Sequence, residues 1–185
     1  MATPTTDGDL HTTPELDLSA LVVVDTQVDF CDGGASPIPG TTGVLPAIAR
    51  LLEAYRSAQL PIIHIVRLYD GHDVDLARRT AIASGAPVVR PDSTGSQIAP
   101  TLLRNDTPLD SATLLAGHPQ HLGEREWAIW KPRWNAFYRT PLDHHLHTQR
   151  VTTVVLTGCN YPNCPRATLY GASERDYRVL LIDDA

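Results

Sequence analysis

The sequence predicts a three-layer α/β/α sandwich around a central, mainly parallel sheet of Rossmann-like type. Two observations carry this. Short runs of apolar, β-branched residues recur along the chain, Ala20–Val24 and Ile62–Val66 being the plainest. Such runs mark strands buried on both faces, as in a parallel sheet covered by helices. Between them lie segments with apolar residues three and four positions apart, so that strand and helix alternate throughout.

Residues 1–17 are polar, contain Thr and Pro and show no periodicity. They are expected to form a mobile tail ahead of a single domain at 18–185. The first strand, Ala20–Val24, runs straight into Asp25, and a loop rich in Gly and Pro follows at 31–40. Leu45, Ile48, Leu52 and Tyr55 mark an amphipathic helix, and 62–66 is the second strand, with His64 read as a core histidine. A short helix is expected over 74–84, then a long broken excursion over 85–110. Trp127–Trp130 is the third strand, ending at Lys131, and Leu142 and Leu146 mark a short helix. His144, His145 and His147 would occupy that helix's solvated face. The fourth strand is Val151–Thr157, residues 165–176 form a helix, and Val179–Ile182 is the fifth strand.

Bulk composition narrows the function classes. The 185 residues suit one domain, and 42% hydrophobic with 19% charged residues is globular composition. A net charge of -6 argues against a nucleic-acid partner, whose footprint would be basic. No apolar run is long enough for a bilayer and no basic-then-apolar leader opens the chain, so a cytoplasmic protein is expected. The three cysteines Cys31, Cys159 and Cys164 match no zinc knuckle or redox pair. A disulfide framework is therefore not expected, a single Cys159–Cys164 bridge remaining open.

In an open α/β sheet, ligands bind beyond the carboxyl ends of the strands. Asp25 closes the first strand, Lys131 closes the third, and Cys164 lies shortly after the fourth. Pro165 suits the first position of a helix, where its missing N–H costs nothing. Cys164 would then be the cap residue, its sulfur at the positive end of the helix dipole and its pKa lowered. Neighbouring backbone N–H groups would be free to receive an oxyanion. Trp134 and Tyr161 flank this chemistry and are expected to line the pocket, with Phe30 a further candidate.

The motifs themselves resemble those of the isochorismatase-like cysteine hydrolases, the group that includes nicotinamidases and N-carbamoylsarcosine amidases. Asp25-Thr26-Gln27-Val28-Asp29-Phe30 resembles the family's Asp-x-Gln-x-x-Phe opening. Lys131 to Phe137, with Thr140, is similar to its Lys-x-x-x-x-x-Phe-x-x-Thr segment. Gly158 to Cys164 is similar to its Gly-x-x-x-x-x-Cys loop, and Asp183-Asp184-Ala185 resembles its Asp-Ala strand end.

The resemblance implies Asp25 as general base, Lys131 as its electrostatic partner and Cys164 as nucleophile. The implied reaction is cleavage of a C–N bond in a small amide, carbamoyl or lactam compound through a thioester-type intermediate. Backbone N–H groups of Asn160 and Cys164 would form the oxyanion hole, near a cis peptide at Cys159–Asn160. The resemblance also implies a homo-oligomer and a further helix beyond Ala185. Asp70 and His72 resemble, at a shifted position, the Asp-x-His metal pair of nicotinamidases. No clear third ligand follows, so no cofactor is expected and zinc there is the alternative. An isochorismatase-type vinyl ether hydrolase and a catalytically silent binding relative are the competing functions.

Overall fold

The computed structural model describes residues 9–185. The first apolar run becomes β1 (Ser19–Val24), with all six residues buried. It is followed by α1 (Thr41–Ser57), β2 (Ile62–Val66), α2 (Leu76–Ala83) and α3 (Ser111–Leu115). The remaining elements are β3 (Gln120–Gly123), β4 (Glu126–Trp130), α4 (Leu142–Thr148), β5 (Thr153–Gly158), α5 (Cys164–Ser173) and β6 (Arg178–Leu181). The sheet order is β3-β4-β2-β1-β5-β6, parallel except for β3, which runs antiparallel to β4.

Successive residues of β1 face opposite layers, as the two-residue period of a strand requires. Leu21 and Val23 pack with Leu45, Ile48 and Leu52 of α1, whereas Ala20, Val22 and Val24 pack with Leu142 and Leu146 of α4 and Ala172 of α5. The expected three-layer sandwich with a mainly parallel sheet is the observed one. It has six strands rather than five, because β3 and the short α3 lie beyond the 85–110 excursion in a stretch with no strand- or helix-like pattern.

Residues 9–18 are not a detached tail. The Glu15 N–H donates to Thr153 Oγ1 (2.9 Å), Arg178 Nη1 pairs with Glu15 Oε2 (3.0 Å), and Arg178 Nη2 donates to the Leu10 carbonyl (3.0 Å). These bonds fasten the segment across β5 and β6. Residues 1–8 of the expected tail lie outside the described residues.

His64 is buried, but it belongs to a charged network. Glu126, at the start of β4, accepts from Arg56 Nε (2.8 Å) and Nη2 (2.7 Å), and its Oε1 lies 2.7 Å from His64 Nε2. Burial pushes the Glu126 carboxyl up, yet the bonds from His64 and Arg56 hold it at about 2. A folded-state pKa below the unfolded value of 4.5 contributes stability that is fully present above that pH. The contribution is lost as pH falls towards 2. Glu126→Gln, which leaves buried Arg56 with exposed Glu53 as its remaining counter-ion, is expected to cost about 2 kcal/mol near neutrality. Urea unfolding from pH 2 to 7 should show a flatter acid limb for this variant than for the parent chain.

Candidate active site

The strand order reverses direction at β1. β2 and β4 lie to one side of it and β5 and β6 to the other, which makes the carboxyl end of β1 the switch point where α/β folds bind ligands. Four strands deliver reactive side chains there: Asp25 follows β1, Arg67 follows β2, Lys131 follows β4, and the loop after β5 leads to Cys164.

Asp25 and Lys131 form a buried ion pair, Nζ to Oδ2 at 2.8 Å, with Lys131 0% and Asp25 4% exposed. Taking both charges out of water costs more than an apolar pair of similar volume would. Stability alone therefore gives no reason for these residue types. Asp25 Oδ1 is buried with no hydrogen-bond partner, which leaves one carboxylate oxygen free to take a proton.

The loop after β5 is shaped by two unusual backbone positions. Gly158 has φ 127°, and a Cβ there would come within 2.2 Å of the Val24 carbonyl oxygen, so only glycine lets β5 pass β1 this closely. Asn160 adopts the left-handed conformation, φ 61°. The described residues contain no cis peptide bond. The expected cis bond at Cys159–Asn160 is replaced by this left-handed turn, which reverses the chain without isomerisation. The Asn160 carbonyl accepts from the Asn163 N–H (2.9 Å), whereas the N–H groups of Asn160 and Cys164 donate to no acceptor among the described residues.

Cys164 is the first residue of α5, with Asn163 as cap and Pro165 second. The helix therefore starts one residue earlier than expected. Proline is tolerated at either position, because first-turn N–H groups lack partners in any case.

The thiol itself departs from expectation. Burial pushes the Cys164 pKa up and the Asp25 charge pushes it further, while Lys131 and Arg67 oppose them. The net direction is upward, so burial and the like charge of Asp25 outweigh the two cations. All three cysteines are free. Cys159 is pushed up by burial and by Asp25, and it donates its S–H to the Asp25 carbonyl at 3.0 Å. That contact makes it a support for Asp25 rather than a second nucleophile.

Arg67 is the functional residue that the sequence reading missed. It is 2% exposed and places Nη2 3.5 Å from the Cys164 sulfur and Nη1 3.1 Å from Asp75 Oδ2. Tyr69 Oη donates to the same Asp75 oxygen at 2.7 Å. Burial works against the guanidinium charge, but Asp25 and Asp75 are among the groups that raise its pKa, so it stays charged. Gln27 explains its position. That side chain accepts from the Arg67 N–H (2.7 Å) and donates to the Arg67 carbonyl (2.8 Å), locking the end of β2. The Asp-x-Gln pattern therefore supplies both the buried carboxylate of Asp25 and a clamp for the cation on the neighbouring strand.

Asp25, Arg67, Tyr69, Asp75 and Cys164 line a cavity of about 310 Å³, together with Phe30, Trp134, Arg78 and Asn160. Trp134, expected at the pocket, and Phe30, the further candidate, both border this cavity. Tyr161 is not: it borders a separate cavity with Val44, Pro165 and Ala185. Its neighbourhood to Cys164 in sequence does not survive the turn through Pro162 and Asn163. Asp70 and His72 lie on an exposed turn in which Asp70 Oδ1 accepts from the His72 N–H (2.9 Å). Among the described residues no three His, Cys, Asp or Glu gather as metal ligands do.

Comparison with known proteins matches the family model of the isochorismatase domain to residues 19–185. A protein of Arabidopsis thaliana named a probable inactive nicotinamidase is 32% identical over 173 residues, covering 90% of this chain and 79% of that protein. The ureidoacrylate amidohydrolase of Methylobacterium radiotolerans is 29% identical over 184 residues, covering 89% of this chain and 65% of its own length. The crystal structure of an isochorismatase family protein from Desulfovibrio vulgaris superposes with a TM-score of 0.76 at 29% identity, over 91% of this chain and 80% of that one.

Proposed function

This chain belongs to the isochorismatase family, and on that premise we propose that it is a cysteine-dependent amidohydrolase cleaving a C–N bond in a small amide, carbamoyl or lactam compound. The observation that carries this reading is the free oxygen of Asp25, ion-paired through its other oxygen to fully buried Lys131, in the lining of the cavity that holds Cys164. In outline, Asp25 takes the thiol proton as Cys164 Sγ bonds to the substrate carbonyl carbon. The oxyanion so formed is received by the N–H groups of Asn160 and Cys164. Collapse breaks the C–N bond, Asp25 returns its proton to the departing amine, and a thioester remains. Water, deprotonated by Asp25, then attacks the thioester, and the acid leaves as the thiol re-forms. The sum is amide plus water to acid plus amine.

One amidohydrolase relative supports this chemistry, whereas the name of the Arabidopsis relative favours a silent site. Acid-quench mass spectrometry separates the two, with nicotinamide, succinamate and N-carbamoylglycine as probes. Release of ammonia from at least one probe is expected, with the corresponding acyl adduct on the Cys164 peptide and none in Cys164→Ala. Neither ammonia nor adduct from any probe would leave a small-molecule binding protein. Turnover that survives in Cys164→Ala would mean that the C–N bond is broken without the thiol and would overturn the cysteine-dependent reading.

A further inference from the structure

The charges around the cavity do not cancel. Asp25 is neutralised by Lys131 at 2.8 Å and Asp75 by Arg67 at 3.1 Å, so two anions meet two cations. Arg78 also lines the cavity and has no carboxylate partner among the described residues; its side chain donates only to Ser36 Oγ, at 3.0 Å. It stands in the first turn of α2, where the helix dipole adds to its positive charge. Phe30, Tyr69 and Trp134 add aromatic surface to the lining. A half-buried guanidinium is forced to give up water when a ligand fills the space beside it, and without an acceptor that loss is uncompensated.

We propose that this cavity selects an amide whose far end is a carboxylate, and that Arg78 is the residue that reads it. Resting on the amidohydrolase reading above, the inference makes the substrate a small monoanion. Its amide lies at Cys164, its carboxylate lies against Arg78, and a short chain between them lies along the aromatic wall. A carboxylate presents two acceptors to the planar fork of an arginine, a match that a neutral amide does not make.

The test uses a matched pair of probes, succinamate with one carboxylate and succinamide with none, and a non-reacting ligand, succinate. In the parent chain, kcat/KM for succinamate is expected to exceed that for succinamide by more than tenfold, and succinate should protect Cys164 from iodoacetamide. In Arg78→Gln the substrate ratio should collapse towards one, and the protecting concentration of succinate should rise at least tenfold. Arg78→Lys, which keeps the charge but not the fork, should fall between. Circular dichroism identifies any variant that fails to fold, in which case the parent's own substrate ratio and the lysine variant decide. Equal turnover of both probes, or a ratio unmoved in Arg78→Gln, would overturn the anion reading and leave the hydrolase intact. Protection by succinate that depends on Arg78, with no turnover of any amide, would do the reverse.

Discussion

Asp25→Asn is expected to make Cys164 alkylate faster at pH 7 while amide turnover falls about a thousandfold, within the range that loss of a general acid–base group produces. The two effects diverge because Asp25 has opposite influences on the resting thiol and on the reaction. In the free enzyme its negative charge is among the causes that hold the Cys164 pKa up, behind burial, while Lys131 and Arg67 pull it down. Replacing the carboxylate with an amide removes a like charge and leaves both cations in place, so the thiolate fraction at neutral pH rises. Catalysis needs the carboxylate for a different purpose, to carry the proton from thiol to leaving amine and later from water, which an amide does not do. The measurement is the iodoacetamide rate from pH 5 to 10 beside ammonia release from the same preparation. Alkylation that slows in step with turnover would mean that Asp25 assists ionisation of the resting thiol, against the like-charge argument.

What the sequence revealed, and where it misled, follows from the kind of signal each feature leaves. Strands β1, β2 and β5 are covered on both faces and so read as apolar runs without polar alternation. Strand β3, Gln120-His121-Leu122-Gly123, lies at the edge of the sheet with only Leu122 buried, and nothing in its composition separates it from a loop. Asp25, Lys131 and Cys164 were found because each follows an identifiable strand. Arg67 obeys the same rule at the end of β2, but it is followed by Leu68 and Tyr69, which blur the boundary. Its partner Asp75 is eight positions away with no motif between them. The thiol was misjudged for a related reason. A helix start is visible in sequence through Pro165, whereas the burial that pushes Cys164 up is a property of the whole sheet edge. Tyr161 shows that adjacency along a tight loop is poor evidence of a shared pocket, because one turn is enough to put neighbours in separate cavities.

Arg67→Met is expected to lower kcat/KM about a hundredfold near neutrality, equivalent to roughly 2.7 kcal/mol of transition-state stabilisation. The guanidinium is the one cation that contacts the sulfur among the described residues, at 3.5 Å, and it opposes the burial that keeps the thiol protonated. Its loss should move the alkaline rise of Cys164 alkylation to higher pH, the opposite direction from Asp25→Asn. Methionine also leaves Asp75 buried with only Tyr69 as partner, a defect that alone is destabilising. The double variant Arg67→Met, Asp75→Asn removes both charges together and isolates the effect on the nucleophile. Arg67→Lys should recover only part of the rate, since one ammonium does not reproduce a fork that spans Asp75 Oδ2 and Cys164 Sγ. Turnover within threefold of the parent in the double variant, with an unmoved alkylation profile, would reduce Arg67 to a packing residue. A parallel loss of rate and upward shift of the thiol would make it a fourth member of the catalytic set, delivered by the one strand end whose chemistry the sequence concealed.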